Sequence, residues 1–378
     1  MRILIKGGAV LDGECREFYK SDVLIDGGII KEIGKISDTS ADKTIVADGK
    51  CVIPGFIDIH THGSFGVDFS QSVSFDDVRT ALAREGITSV SPTISTRPKD
   101  MTVSAINHLV SESKKRVGAT LEKIHLEGPF LSPEKMGAME FSSLECTAEN
   151  FDSIVMNNAA HIGIVTIAPE LEGAVECIRR ASACGIRMSL GHTVADYEQA
   201  IRAIDAGATG ATHTFNAMRP YEHRETGVLG AVLTDDRVMC EMICDFVHLA
   251  PETVKLIIRA KGIDRVALID DAAMITGMPD GVYFTNKRIT VKNRVARNDR
   301  GRLASSCYTM TDGARNLLKL GISLADVSRM GAYNPAVALG IENITGSVMV
   351  GKRADVIVTD DKLAISSVIS AGELVVDN

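Results

Sequence analysis

The sequence predicts an α/β fold, a (β/α)8 TIM-type barrel with a small β-sandwich domain built from both chain ends. Three observations carry this expectation. Short apolar runs alternate with amphipathic segments through the middle of the chain, glycines recur at the turns between them, and five side chains able to hold a metal stand where apolar runs stop.

The ends come first. Residues 1–50 read as short alternating strands with glycine turns (Ile3, Ile5; Val23, Ile25; Ile30, Ile33), and residues 346–378 repeat that texture around Val356 and Leu374. Neither end is long enough to bury a core alone. The expected organisation is therefore residues 1–52 and 346–378 as two parts of one β-sandwich, flanking a barrel over 53–345.

Within the barrel, strands are expected over 52–59, 88–94, 122–127, 162–168, 186–191, 209–213, 239–245 and 265–270. These runs are apolar on both faces, as strands covered by helices are. Amphipathic helices fit 74–85 (Phe75, Val78, Leu82) and 196–206 (Tyr197, Ala200, Ile201, Ile204). Gly86, Gly185, Gly207 and Gly262 each precede a strand, where glycine suits the left-handed turn that ends a helix. A third β-like segment, 282–303, carries a charged hairpin around Asn286–Arg288 and Arg297–Arg302. A doubly wound sheet also fits eight alternating units. The closed ring is preferred because it lets ligands from the first, third, fifth and sixth strands meet.

Composition narrows the function classes. Hydrophobic residues make up 45% and charged residues 24%, as in ordinary globular enzymes. A net charge of −8 argues against a nucleic-acid partner. No apolar stretch is long enough to span a membrane, and the start lacks a signal-peptide layout. The eight cysteines contain no Cys-x-x-Cys pair, which fits reduced thiols and a cytoplasmic location.

The chemistry-bearing residues follow from the runs. His60 and His62 are two apart, so on a strand they face the same way and can grip one ion together. Glu127, His192 and His213 end later runs. A carboxylate can hold one ion or bridge two, and neutral imidazole is the commonest ligand for zinc and similar metals. Ligands arriving one per strand end describe a metal site at the mouth of a parallel barrel, a hydrolase arrangement. The competing reading is a buried carboxylate satisfied by core histidines. Asp271 ends a later run and is the catalytic candidate, because a hydrolase that draws a nucleophile from water needs a group to accept the proton.

The segments Pro54–Gly63, His125–Phe130, Ile167–Glu170, Gly191–Thr193, Thr212–Met218, Ile269–Ala272, Asn334–Ala336 and Gly346–Asp355 resemble, in order, the N-acetylglucosamine-6-phosphate deacetylase family of the amidohydrolase superfamily. The resemblance implies metal-dependent release of acetate from an amino-sugar phosphate. It makes Glu127, His192 and His213 the primary metal site, and His60 and His62 either ligands of a second ion or supports of the first. It implies one or two divalent ions per subunit, with Zn, Fe(II), Mn, Co and Ni all compatible. The family's aspartate aligns with Asp271, leaving Asp270 as a departure. By the same resemblance Asn216, Ala217 and His248 contact the sugar, and Arg224 binds phosphate across a homodimer interface.

Three further departures stand out: Met139 where the family tends to have histidine, Phe246 in place of glycine, and Ser305 in place of glycine. Other readings remain open. One is a deacylase of N-acetylgalactosamine 6-phosphate or of an N-acyl-amino acid. Another is a catalytically silent sugar-phosphate sensor. Cyclic amidases are disfavoured because the fourth strand ends Ile167–Glu170 without a lysine.

Overall fold

The computed structural model describes residues 1–37, 40–139, 141–284 and 288–378. Parallel strands Phe56–Thr61, Ile87–Ser95, Ile124–Glu127, Ile162–Ile167, Arg187–Leu190, Ala208–Ala211, Met239–Ile243 and Val266–Ile269 pair in that order. The eighth returns to the first through main-chain bonds, Asp271 N to His60 O (3.0 Å) and His62 N to Ala272 O (2.8 Å). This is the expected TIM-type barrel, closed at its mouth. Its helices pack outside through one continuous apolar cluster that takes in Val78, Leu82, Ile106, Ile178 and Ile257.

Both chain ends join a second sheet. Strand Ile3–Leu11 sits at its centre between Phe18–Asp26 on one side and Lys43–Val46 and Cys51–Pro54 on the other, and Val356–Thr359, Ile365–Ser370 and Glu373–Asp377 continue it. Bonds from Ile30 N to Lys352 O and from Ala354 N to Gly28 O tie the far edge back (2.9 Å each). The sheet therefore curls around its own core of Ile3, Val23, Ile45, Val356 and Ile369. Covering both faces of an apolar sheet is what drives this layering.

The expected run 52–59 divides at Gly55. Cys51–Pro54 belongs to the terminal sheet, and Phe56 starts the barrel. A side chain at Gly55 would meet Thr88 Oγ1 at 2.2 Å, so only glycine lets the chain cross so closely.

Helices form at Asp76–Arg84 and Tyr197–Asp205, the latter opened by a capping box between Asp196 and Gln199. Tyr197, expected to face inward, is exposed. The helix buries Ala200, Ala203 and Ile204, a stripe at helical spacing that leaves the first residue outside. Gly86, Gly185, Gly207 and Gly262 all have positive φ, in keeping with the expected turns. The late insert is a three-stranded antiparallel sheet, Gly281–Phe284, Arg288–Lys292 and Val295–Asn298. Asn286 and Lys287 of the expected hairpin lie outside the described residues. No helix among the described residues is long and apolar enough to cross a membrane.

Candidate active site and metal centre

The barrel mouth gathers side chains from five strand ends. Leu190, Ala211 and Ile269 finish their strands, and His192, His213 and Asp271 follow two residues later with φ of 49°, 28° and 47°. Non-glycine residues rarely adopt this left-handed backbone, and such strain concentrates at functional sites. Glu170 props the His192 turn by accepting Val194 N (2.8 Å) and the Thr193 hydroxyl.

Glu127 is central. Its Oε1 lies 2.9 Å from His192 Nε2 and 3.1 Å from His213 Nε2, and its Oε2 lies 3.2 Å from His62 Nε2. Asp271 Oδ1 lies 3.4 Å from His62 Nε2 and 3.5 Å from His60 Nε2. One carboxylate thus stands between two histidine pairs, and a second carboxylate caps one of them.

These donors suit a divalent ion. His192 Nδ1 donates to Lys135 O (2.6 Å), so in the neutral ring Nε2 carries a lone pair. That lone pair faces Glu127 Oε1 and, at 3.0 Å, His213 Nε2. Acceptors at this spacing repel unless a proton or a cation lies among them, and a divalent ion meets all three at once. Glu127, His192 and His213 form one such group, and His60, His62 and Glu127 another. Imidazole and carboxylate together fit first-row divalent metals.

Electrostatics point the same way. Burial opposes charge on His62, but hydrogen bonds to Asp271 and Glu127 outweigh it and carry its pKa up to about 9. Burial likewise opposes charge on His60, and Asp271 with Glu127 overcomes it upward. Burial would raise the Asp271 carboxyl, yet the charge of His60 and the bond to His62 bring it down to about 2. Glu127 is held well below its usual range, against burial, chiefly by His192. Histidinium beside carboxylate is the arrangement a metal ion replaces, because ligands must shed protons to bind it.

Asp270 turns elsewhere. Its main-chain N donates to Asp58 Oδ2 (3.3 Å), and burial pushes its carboxyl up to about 6. Only Asp271 of the two lines the cavity.

The cavity over the cluster measures about 530 Å³ and is lined by Asn216, Ala217 and His248 as well as Asp271. Asn216 Nδ2 donates to His213 O (3.1 Å). His248 Nδ1 bonds Asp245 Oδ2 (2.7 Å), and against burial this partner raises the imidazole pKa. Arg224 is not brought to this cavity. It is exposed, with Nη1 2.6 Å from His223 Nε2. Met139, Phe141 and Ser305 do line the wall. His125 is buried below, its Nε2 2.8 Å from Thr166 Oγ1, and its ring meets that of His60 edge-on at 4.5 Å.

Two residues escaped sequence reasoning. Glu241 Oε2 lies 2.9 Å from His60 Nδ1, and its position inside the apolar run Val238–Cys244 was the available signal. Arg97 is the one lysine or arginine among the described cavity-lining residues. It follows the second strand by two residues, the spacing that marked the other mouth residues.

The amidohydrolase family model matches residues 51–375. The chain is 36% identical over 373 residues to an N-acetylglucosamine-6-phosphate deacetylase of Bacillus subtilis (strain 168), covering 94% of each. It is 33% identical over 358 residues to an N-acetylgalactosamine-6-phosphate deacetylase of Escherichia coli O157:H7, covering 93% of each. The fold matches a mutant N-acetyl-D-glucosamine-6-phosphate deacetylase from Mycobacterium smegmatis in complex with N-acetyl-D-glucosamine-6-phosphate. That match has a TM-score of 0.90 and 34% identity, and covers 99% of both chains.

Proposed function

The chain belongs to the amidohydrolase family, and from that premise we propose that it hydrolyses N-acetylglucosamine 6-phosphate to glucosamine 6-phosphate and acetate. The observation that carries the reading is the Asp271 carboxylate standing 3.4 Å from His62 and 3.5 Å from His60, beside the Glu127 cluster and on the wall of a cavity that admits a small molecule. The relatives named above supply the substrate.

In this reading Glu127, His192 and His213 hold one divalent ion, and His60 and His62 contribute to a second. Zn, Fe(II), Mn, Co and Ni all suit the donors. The bound ion supplies Lewis acidity, acidifying water and polarising a carbonyl. Asp271 is ionised at neutral pH and accepts a proton from the attacking water. Oxygen bonds to the acetyl carbon, the carbon–nitrogen bond breaks, and Asp271 returns the proton to the amine, which otherwise leaves poorly. His248, oriented by Asp245, offers its other nitrogen to the acetyl carbonyl. Asn216 and Ala217 hold the sugar ring.

Arg224 lies outside its own cavity and reaches the phosphate from a neighbouring subunit, which makes the working form a homodimer. A guanidinium fork is the right partner for a phosphate dianion. The chain is a cytoplasmic enzyme on this account. It divides into a barrel over 56–345 and a β-sandwich of 1–54 with 346–378, the expected boundary at 52/53 moving to Gly55 because Cys51–Pro54 pairs in the terminal sheet.

One observation favours a second substrate. Met139 lines the wall where a hydrogen-bonding side chain is typical of the resemblance, and a thioether cannot donate to a sugar hydroxyl. N-acetylgalactosamine 6-phosphate is therefore the runner-up. Acetate release from the two epimers, each with and without the 6-phosphate, separates the readings.

A further inference from the structure

His60 is buried completely, and its two ring nitrogens meet opposite surroundings. On one side Nε2 has no hydrogen-bond partner and points towards Glu127 Oε1 and Asp271 Oδ1, each 3.5 Å away. On the other, Nδ1 lies 2.9 Å from Glu241 Oε2. The same Glu241 oxygen accepts the main-chain N–H of His213 at 3.2 Å, and Glu241 O accepts Thr214 N at 2.9 Å. Glu241 sits on the seventh strand, Met239–Ile243, whose five residues are all buried. A carboxylate there is costly unless it is well partnered. Arg187, on the fifth strand, lies near enough to feel its charge.

A neutral imidazole carries one proton, and the hydrogen bond made by one nitrogen decides which nitrogen keeps it. Two carboxylates on the Nε2 side draw the proton there, which would remove the lone pair from the cluster. Glu241, closer and on the far side, draws it to Nδ1. We propose that Glu241 is a positioning residue that fixes His60 with Nδ1 protonated and Nε2 free to ligate. With the same oxygen it ties His213 to the same frame. The residue never touches substrate. It acts through ligands contributed by two separate strands.

This inference rests on the reading that the cluster holds divalent ions, so its test reads metal and tautomer rather than turnover. Zinc is titrated into metal-free wild type, Glu241→Ala and Glu241→Gln. Wild type is expected to take two ions per chain. Glu241→Ala should bind the ion of His60 and His62 about ten- to a hundredfold more weakly, the usual cost of losing such support. It should lose less on the ion of Glu127, His192 and His213, where Glu241 holds only the His213 main chain. Glu241→Gln should fall between them, because its amide oxygen still accepts from Nδ1. Imidazole nitrogen-15 spectra of the zinc proteins should show His60 protonated at Nδ1 in wild type and in Glu241→Gln. If Glu241→Ala does not fold, wild type and Glu241→Gln still decide.

Wild-type affinity for both ions in Glu241→Ala would overturn the proposal, as would a His60 proton on Nε2 in the zinc-loaded wild type. One zinc in wild type with His60 unligated would overturn it too. A wild-type chain that binds no zinc would overturn the metal reading itself, and this inference with it.

Discussion

Asp58 binds the main-chain nitrogen of Asp270 through one carboxyl oxygen (3.3 Å), and through the other it binds the main-chain nitrogen of His60 (3.0 Å). A single buried side chain on the first strand therefore pins the residues that follow the eighth. The Asp270 carboxyl, off the cavity, accepts Ala272 N (2.9 Å), and Asp271, beside it, faces the cavity. The division of labour between the two aspartates follows from that pin.

Asp271→Asn should leave the fold and metal content in place and lower turnover by at least ~10²-fold, as loss of a general base does. Asp270→Asn should lower stability more than turnover, because its buried carboxyl lies off the cavity, accepting Ala272 N (2.9 Å) and sharing a side-chain hydrogen bond with Asp58. Acetate release by both variants at matched metal loading checks this. A larger loss of turnover in Asp270→Asn would exchange their roles.

His192→Ala should remove tightly bound metal. The thermal midpoint of wild type should rise on adding metal, because a ligand bound only by the native state stabilises it. The variant's midpoint should rise less, by no more than an ion at His60 and His62 contributes. Elemental analysis with melting curves reads both, and full metal content in His192→Ala would remove His192 from the ligand set.

Phosphate selectivity should depend on cations. Charge-assisted hydrogen bonds contribute about 1.5–3 kcal/mol each, or roughly ten- to a hundredfold in kcat/KM. Arg224→Ala should lose that much on the 6-phosphate and little on the unphosphorylated sugar. Arg97, the one lysine or arginine among the described residues lining the cavity, should show a similar loss if it shares the phosphate. Mixing Asp271→Asn subunits with Arg224→Ala subunits should restore activity above either parent, since one mixed site then carries both native residues. A fully active monomer by light scattering would rule the shared site out.

The Asp245–His248 pair should be visible in pH dependence. Burial opposes charge on both, and their mutual bond raises His248 above 6.5 and lowers Asp245 below 3.8. A raised histidine stabilises the fold fully below its unfolded pKa and loses that effect as pH rises through the folded value. A lowered aspartate stabilises above its unfolded value and loses the effect as pH falls through the folded one. The pair therefore contributes most in mildly acid solution. Asp245→Asn should cost about 1.5–3 kcal/mol near pH 5.5 and less near pH 9. Histidine NMR titration should show the His248 pKa falling in the variant. An unmoved pKa would mean that Asp245 does not hold the imidazole.

Much of this was legible in the sequence because each feature was written locally. Alternating apolar runs and glycine stops are local signals, and side chains that end a run lie at a strand's carboxyl end in any parallel barrel. His60, His62, Glu127, His192, His213 and Asp271 were found that way. What stayed hidden depends on pairings between distant strands. Glu241 supports His60 from 181 residues away. Arg97 lines the cavity only because the second strand ends near the mouth. The division of the run 52–59 at Gly55 needed the position of Thr88, which no local pattern carries. Tyr197 read as inward because periodicity fixes a stripe on a helix without saying where the packing against it begins.

The most direct test of the central claim is acetate release by metal-reconstituted protein from N-acetylglucosamine 6-phosphate, measured beside N-acetylgalactosamine 6-phosphate and both unphosphorylated sugars. The account predicts the highest kcat/KM for N-acetylglucosamine 6-phosphate, abolished by chelation and restored by added divalent metal. Absence of acetate release from every sugar in the set, with metal bound and the fold intact, would contradict it.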